Sequence, residues 1–166
     1  RGSSGEAMAA SRLIFNTRCQ IAEMFDVWGP ECVAFTSNDT EALNIALQGT
    51  LHPEEETIHA ICTEMDHNSV LRPLYRLEKK GMELTILPAD RKGRISLKEL
   101  EAAIRPETKV IVCTHASNLT GNLNDIHAIG EIAQKHQKLF IVDAAQTAGV
   151  FPISMKKDHI DILCFS

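Results

Sequence analysis

Lys138-Leu139-Phe140-Ile141-Val142-Asp143-Ala144-Ala145-Gln146 is an apolar run closed by a carboxylate and two small residues. An apolar run of this length, bounded abruptly, reads as a strand buried on both faces of a parallel sheet. Asp143 then stands at the carboxyl end of that strand, where open α/β sheets bind their ligands. A buried acid there needs a cationic or donor-rich neighbour. Taken alone, the stretch fits an aspartate capping a following helix equally well, and the rest of the chain decides between the two.

Working outward, Ile126, Ile129, Ile132 and Ala133 give a helix over Asp125 to His136, and Val110 to Thr114 is the strand before it. His115 to Asn124 is a loop. Further back, Glu83 to Leu87 is a strand, Asp90-Arg91-Lys92-Gly93 a turn, and Ser96 with Glu99 a capping box opening a helix that ends at Arg105-Pro106. Thr57 to Cys62 is a strand, followed by a helix carrying Val70, Leu71, Leu74 and Leu77. Pro73 suits that helix only in its first turn, and Gly81 closes it. Cys32 to Thr36 reads as the first strand, followed by a helix from Glu41 to Gln48 that Gly49 caps.

At the start, Ser3 and Glu6 have capping-box spacing, a helical period runs to Phe25, and Gly29-Pro30 stops it. Ile160 to Phe165 is the last strand. Strands alternating with helices make an α/β protein: a three-layer, mostly parallel sheet with helices on both faces. The expected organisation is a helix over residues 1–30 leading into a large domain over residues 31–166.

The 166 residues, 44% hydrophobic and 23% charged, are those of an ordinary globular protein with room for a real core. A net charge of −5 without a Lys/Arg cluster argues against nucleic-acid binding. No apolar run approaches membrane-spanning length, so no membrane role is expected. Cys19, Cys32, Cys62, Cys113 and Cys164 show no metal-ligand spacing, so no metal site is expected. They read as free thiols of a reducing cytoplasm.

In a parallel sheet all strands present their carboxyl ends at one edge. Ser37, Asn38, Asp39 and Thr40 follow the first strand, Asp66 and His67 the second, His115, Ser117 and Asn118 the fourth, Asp143 and Gln146 the fifth, and Ser166 the sixth. Ser37 to Thr40 open a helix, whose free N–H groups suit a phosphate, although simple N-capping accounts for the same residues. An anion site opposite an isolated carboxylate fits a ligand anionic at one end and cationic at the other, such as pyridoxal phosphate. A nicotinamide-binding domain is disfavoured because no Gly-x-Gly-x-x-Gly follows the first strand. A phosphorelay receiver would show an acidic pair near it.

Four segments carry a resemblance: Phe35-Thr36-Ser37-Asn38-Asp39-Thr40-Glu41-Ala42-Leu43-Asn44, Glu64-Met65-Asp66-His67-Asn68-Ser69-Val70, Thr114-His115-Ala116-Ser117-Asn118-Leu119-Thr120-Gly121, and Val142-Asp143-Ala144-Ala145-Gln146. In that order they resemble the cysteine desulfurases, in the class V aminotransferase group of fold-type I pyridoxal-phosphate enzymes. The resemblance implies an incomplete large cofactor domain, with the C-terminal small domain absent. Thr40 and the backbone at Asn38 and Asp39 would hold the cofactor phosphate, which Ser166 would also reach. His67 would stack on the ring and move protons as the catalytic residue, Asn118 and Gln146 would contact the phenolic oxygen, and Asp143 would pair with the pyridine nitrogen.

The parent reaction it implies is removal of sulfur from L-cysteine, giving alanine and an enzyme persulfide, with a possible sulfur-acceptor protein and a homodimeric, cytoplasmic enzyme. Selenocysteine lyases and other class V aminotransferases share the pattern, and a non-catalytic binding or assembly protein could keep the fold. Family members commonly carry small residues at Asn38-Asp39, so the Asp39 side chain is expected to point away from the phosphate. The resemblance also implies that Ser166 begins a Ser-Gly-His-Lys segment bearing the Schiff-base lysine. The nucleophilic cysteine and the substrate-binding arginine would follow it, and none of the five cysteines here takes that part.

Overall fold

The computed structural model describes residues 4–166. Helix α1 (Gly5–Met24) is capped by Ser4, whose hydroxyl accepts from the Ala7 N–H. The expected cap at Ser3 lies outside the described residues. A 3₁₀ turn, Pro30–Cys32, then precedes α2 (Asp39–Thr50), β1 (His59–Thr63), α3 (Asn68–Glu78), β2 (Glu83–Leu87) and α4 (Leu97–Ala103). After these come β3 (Thr108–Thr114), α5 (Ile126–Lys135), β4 (Leu139–Asp143) and β5 (Ile162–Cys164).

The sheet order is β2-β1-β3-β4-β5, with every pairing parallel. Side chains alternate across it with the period of two that strands impose. Phe140 and Val142 of β4 join Ile111 and Cys113 of β3 in one buried cluster, beneath Leu100 of α4 and Ile126, Ile129 and Ala133 of α5. Ile141, Val110 and Val112 face the opposite way, onto Leu43 and Leu47 of α2 and Val70, Leu74 and Leu77 of α3. Helices therefore cover both faces, as the sequence leads one to expect. On the first face, Gly130 of α5 lies so close to the turn after β4 that a Cβ would fall 1.9 Å from the Asp158 carbonyl oxygen.

Five strands form the sheet among the described residues, not six. Cys32 ends the 3₁₀ turn, Val33 is extended, and residues 33–36 belong to no strand. Only Val33 among them is buried, so the apolar run has neither a ladder nor a two-sided core to hold it as sheet. Helix α1 also stops before Gly29-Pro30. Asp26 takes a left-handed φ of 53°, its carboxylate accepts from Ser154 Oγ at 2.8 Å, and the Phe25 carbonyl accepts from the Met155 N–H. A tertiary tie thus ends the helix ahead of the sequence breakers.

Gly49 sits inside α2 instead of capping it. Pro73 lies in the second turn of α3, past the expected first turn, where it removes one backbone bond yet is itself buried. Gly81, at φ 108°, makes the turn that closes α3.

Candidate active site

The chain turns one way from β1 to β2 and the other way from β2 across to β3, so the order reverses between β1 and β3. At such a switch point the loops leaving the two strands part and leave a crevice at their carboxyl ends. A cavity of about 170 Å³ opens there, lined by Asp39, Thr40, His67, Asn118, Asp143 and Gln146 together with Met65, Ser69, Thr114, Ala116 and Ala145.

Each side chain reaches it by a local device. Asn38 caps α2, its Oδ1 accepting from the Glu41 N–H at 2.9 Å, while Glu41 turns back to accept from the Ser37 N–H at 2.6 Å. That reciprocal cap leaves the N–H groups of Asp39 and Thr40 without an acceptor among the described residues, at the positive end of the helix. Asn38 and Ser166 stand outside the cavity lining, Asn38 being engaged as the cap. His67 caps α3, and its Nδ1 accepts from the Ser69 N–H at 3.2 Å, which fixes the ring beside the crevice.

Asn118 stands on a loop that is pinned at several points. The His115 N–H donates to the Asp143 carbonyl, Asn124 Nδ2 donates to the Thr114 carbonyl, and Gly121 turns at φ 70° to donate to the Ser117 carbonyl. His115 and Ser117, read from sequence as facing the crevice, are instead buried in this scaffold. His115 pairs with Thr147 Oγ1, and Ser117 Oγ accepts from the Leu119 and Thr120 N–H groups.

Asp143 ends β4 at the crevice, and the helix that the alternative reading has it cap does not form: turns follow it instead. Its Oδ1 accepts from the Ala145 N–H at 3.0 Å, capping the turns that follow, and its other oxygen has no protein donor among the described residues. The residue is 4% exposed. Burial raises its carboxyl above the usual range, while the Ala145 N–H and His67 pull the other way. Asp39 departs from expectation. Its side chain lines the cavity, Oδ1 is buried without a donor, and burial followed by the charge of Asp143 pushes its pKa up to about 6.

Behind the crevice Asp66 is 5% exposed and accepts from the Thr63 N–H and hydroxyl through Oδ2, with Oδ1 unpaired. Burial raises it to about 7. The sequence does not single out Met65, Ser69, Thr114, Ala116 and Ala145 as site residues, although all five lie within the segments that carry the resemblance and Ser69 and Thr114 bring hydroxyls. Cys62, Cys113 and Cys164 are buried, and burial pushes their thiols up, Cys164 to about 12, so none is a ready thiolate.

The donor set suits pyridoxal phosphate, with open N–H groups and a hydroxyl at one side, a buried acid with a free oxygen at the other, and amides and an imidazole between. Sheet order, switch-point crevice and this donor set define a fold-type I pyridoxal-phosphate enzyme domain. The model of the aminotransferase class-V family matches residues 1–166, and the chain belongs to that family.

It is 37% identical over 158 residues to a cysteine desulfurase IscS of Vibrio atlanticus, covering 95% of this chain and 39% of that protein. A putative cysteine desulfurase of Bacillus subtilis is 37% identical over 150 residues, 90% of this chain and 39% of that one. Among solved structures, SspA in complex with cysteine superposes with a TM-score of 0.93 at 32% identity, over 99% of this chain and 48% of that one. The apo cysteine desulfurase of Thermococcus onnurineus gives 0.89 at 30% identity, over 100% of this chain and 41% of that one. The chain thus spans about two fifths of the length of its relatives.

Proposed function

We propose that this chain is the cofactor-binding part of a pyridoxal-phosphate-dependent cysteine desulfurase, a cytoplasmic homodimer that takes sulfur from L-cysteine and passes it to an acceptor protein. The observation that carries the reading is the buried Asp143, with one oxygen free, across one crevice from the open N-terminus of α2. Relatives named cysteine desulfurases and a neighbour bound to cysteine support the substrate.

Thr40 and the N–H groups of Asp39 and Thr40 would hold the phosphate, with Asn38 and Ser166 contributing from outside the cavity lining. Asp143 would face the ring nitrogen, Asn118 and Gln146 the ring hydroxyl, and His67 the ring face. The cofactor supplies an electron sink for the carbanion formed at the substrate α-carbon. Asp143 would keep the nitrogen protonated, and its burial would serve this because the carboxylate is left with a strong need for a donor. His67, held through Nδ1, presents Nε2 for moving protons.

The test is the full-length protein. It should bind the cofactor with its visible absorbance, make alanine from cysteine, and sediment as a dimer. Asp143→Asn should fold normally and lose activity by on the order of 10²-fold or more, as when one preorganised charge is removed from a site. Turnover at the parental rate would reduce Asp143 to a turn cap. A lysine three codons past Ser166 is expected, and another residue there would favour a non-catalytic role.

A further inference from the structure

Asp39 is the first residue of α2, and its carboxyl group faces the cavity that the phosphate-bearing ligand would enter. Oδ1 is buried and accepts no hydrogen bond. The groups around it are acids, an imidazole and a thiol. Asp143 faces it from β4, His67 from the start of α3, and Cys164 from β5, whose thiol is raised first by burial and then by the charge of Asp39. Glu41, on its own helix, is turned to the Ser37 N–H, and Asp66 lies behind, coupled to Asp143. Among the described residues no lysine or arginine lines the cavity; Arg72 and Arg76 of α3 line the adjoining pocket, which shares Thr40, His67 and Ser69 with it. A phosphate dianion arriving beside two ionised carboxylates would bring four negative charges into one half-dry cleft. The helix end, equivalent to roughly half a positive charge, cannot balance them.

Building on the cofactor reading above, we propose that Asp39 takes up one proton from solvent when the anion enters and then faces it as an O–H donor. The balance is simple: carboxylate, proton and anion give a carboxylic acid hydrogen-bonded to the anion, and only the O–H bond is formed. The orphaned oxygen thereby gains a partner, and a residue that opposes phosphate when charged becomes part of its cradle. Burial and Asp143 already hold this carboxyl near the middle of the accessible pH range, at about 6, so the proton is gained at little cost. Anion affinity should then fall about tenfold per pH unit above that value.

The experiment uses the full-length apoprotein with inorganic sulfate, a phosphate stand-in that does not titrate between pH 6 and 8, and pyridoxal phosphate in parallel. Calorimetry in two buffers of different ionisation heat counts protons taken up at pH 7.5. Wild type should take up about one proton with sulfate, and its Kd should rise about tenfold per pH unit. Asp39→Asn should take up about one proton fewer and give a correspondingly flatter profile. His67 and Asp66 are present in both proteins, so the difference isolates Asp39. Sulfate binding by wild type without proton uptake would overturn the proposal even if the variant failed to fold. Equal uptake in wild type and a folded variant would overturn it as well. If neither sulfate nor pyridoxal phosphate bound wild type at any pH, the cofactor reading itself would fall.

Discussion

Replacing Asp66 by asparagine should shift the protein's stability by a constant amount and, beyond that, change how its stability depends on pH. Asp66 is 5% exposed and spends its accepting capacity on Thr63, leaving Oδ1 unpaired. Burial, with a smaller push from the charge of Asp143, raises its pKa from 3.8 to about 7, against the pull of the Thr63 hydrogen bonds and of the Thr114 N–H. In the fold the group therefore keeps its proton until about pH 7, whereas the unfolded chain releases it near 3.8. Unfolding loses a proton in that window, so stability is full below the lower value and declines as pH rises through the upper one.

At about 1.4 kcal/mol per tenfold of proton affinity, the move from 3.8 to about 7 costs roughly 4 kcal/mol in all, of which about 2.5 kcal/mol falls between pH 5 and 8. For a domain of this size that corresponds to roughly 5–10 °C. Asp66→Asn has no proton to lose. Its amide oxygen can keep both Thr63 donors, and its NH₂ stands unpaired where Oδ1 stood, a constant offset of about 1–3 kcal/mol. Thermal unfolding of the two proteins in parallel from pH 5 to 8 should show the variant gaining on wild type by several degrees as pH rises. A difference in Tm that stays the same from pH 5 to 8 would refute the reasoning.

Three further outcomes follow from packing and chemistry. Gly130→Ala would gain about 1 kcal/mol of helix propensity, but its Cβ meets the Asp158 carbonyl. Overpacking of about 1–3 kcal/mol, or more against rigid backbone, should win and lower Tm, and a variant as stable as wild type would show that the turn yields freely. Phe140→Ala removes a fully buried ring from the centre of β4 and should cost about 3–5 kcal/mol in urea titration, where a loss under about 1 kcal/mol would mean the core refills. Asn118→Ala should weaken cofactor binding without lowering Tm, because the loop that carries Asn118 is pinned by His115, Asn124 and Gly121 instead. A large fall in Tm would make Asn118 a scaffold residue.

The sequence was most legible where burial on both faces left no alternative. β4 was read from Leu139 through its closing Asp143 for that reason, whereas β2, a partly exposed edge strand, was read to the residue from its short run between the helix-closing Gly81 and the turn at Asp90. The convergence of Thr40, His67, Asn118, Asp143 and Gln146 was also legible, since parallel strands put all their exits at one edge. What failed depended on neighbours far along the chain. Residues 33–36 look like a strand yet lack a partner, and α1 ends where Ser154 and Met155 hold it instead of at Gly29. His115 and Ser117 are polar loop residues like Asn118, and only the folded loop shows which of the three faces inward. The direction of Asp39 was misjudged for the same reason. Repulsion from an expected phosphate argued outward, but the first turn of α2 aims that side chain into the crevice.

The two edges of the sheet differ in kind. β2 is guarded: its side chains are partly exposed, and Glu83 at its start pairs with Arg105. Charge and a wet surface on an edge discourage another strand from docking. β5 is three residues long, and its outer rim of main-chain N–H and C=O groups has no partner strand among the described residues. An added strand would find hydrogen bonds there, with the exposed Asp161 just before β5 the nearest charge along the chain. Among the described residues the sheet thus has one guarded edge and one open edge. Material that clumps at high concentration should do so through β5, and lysine introduced along that rim should be the remedy, with nothing to be gained from the same change on β2.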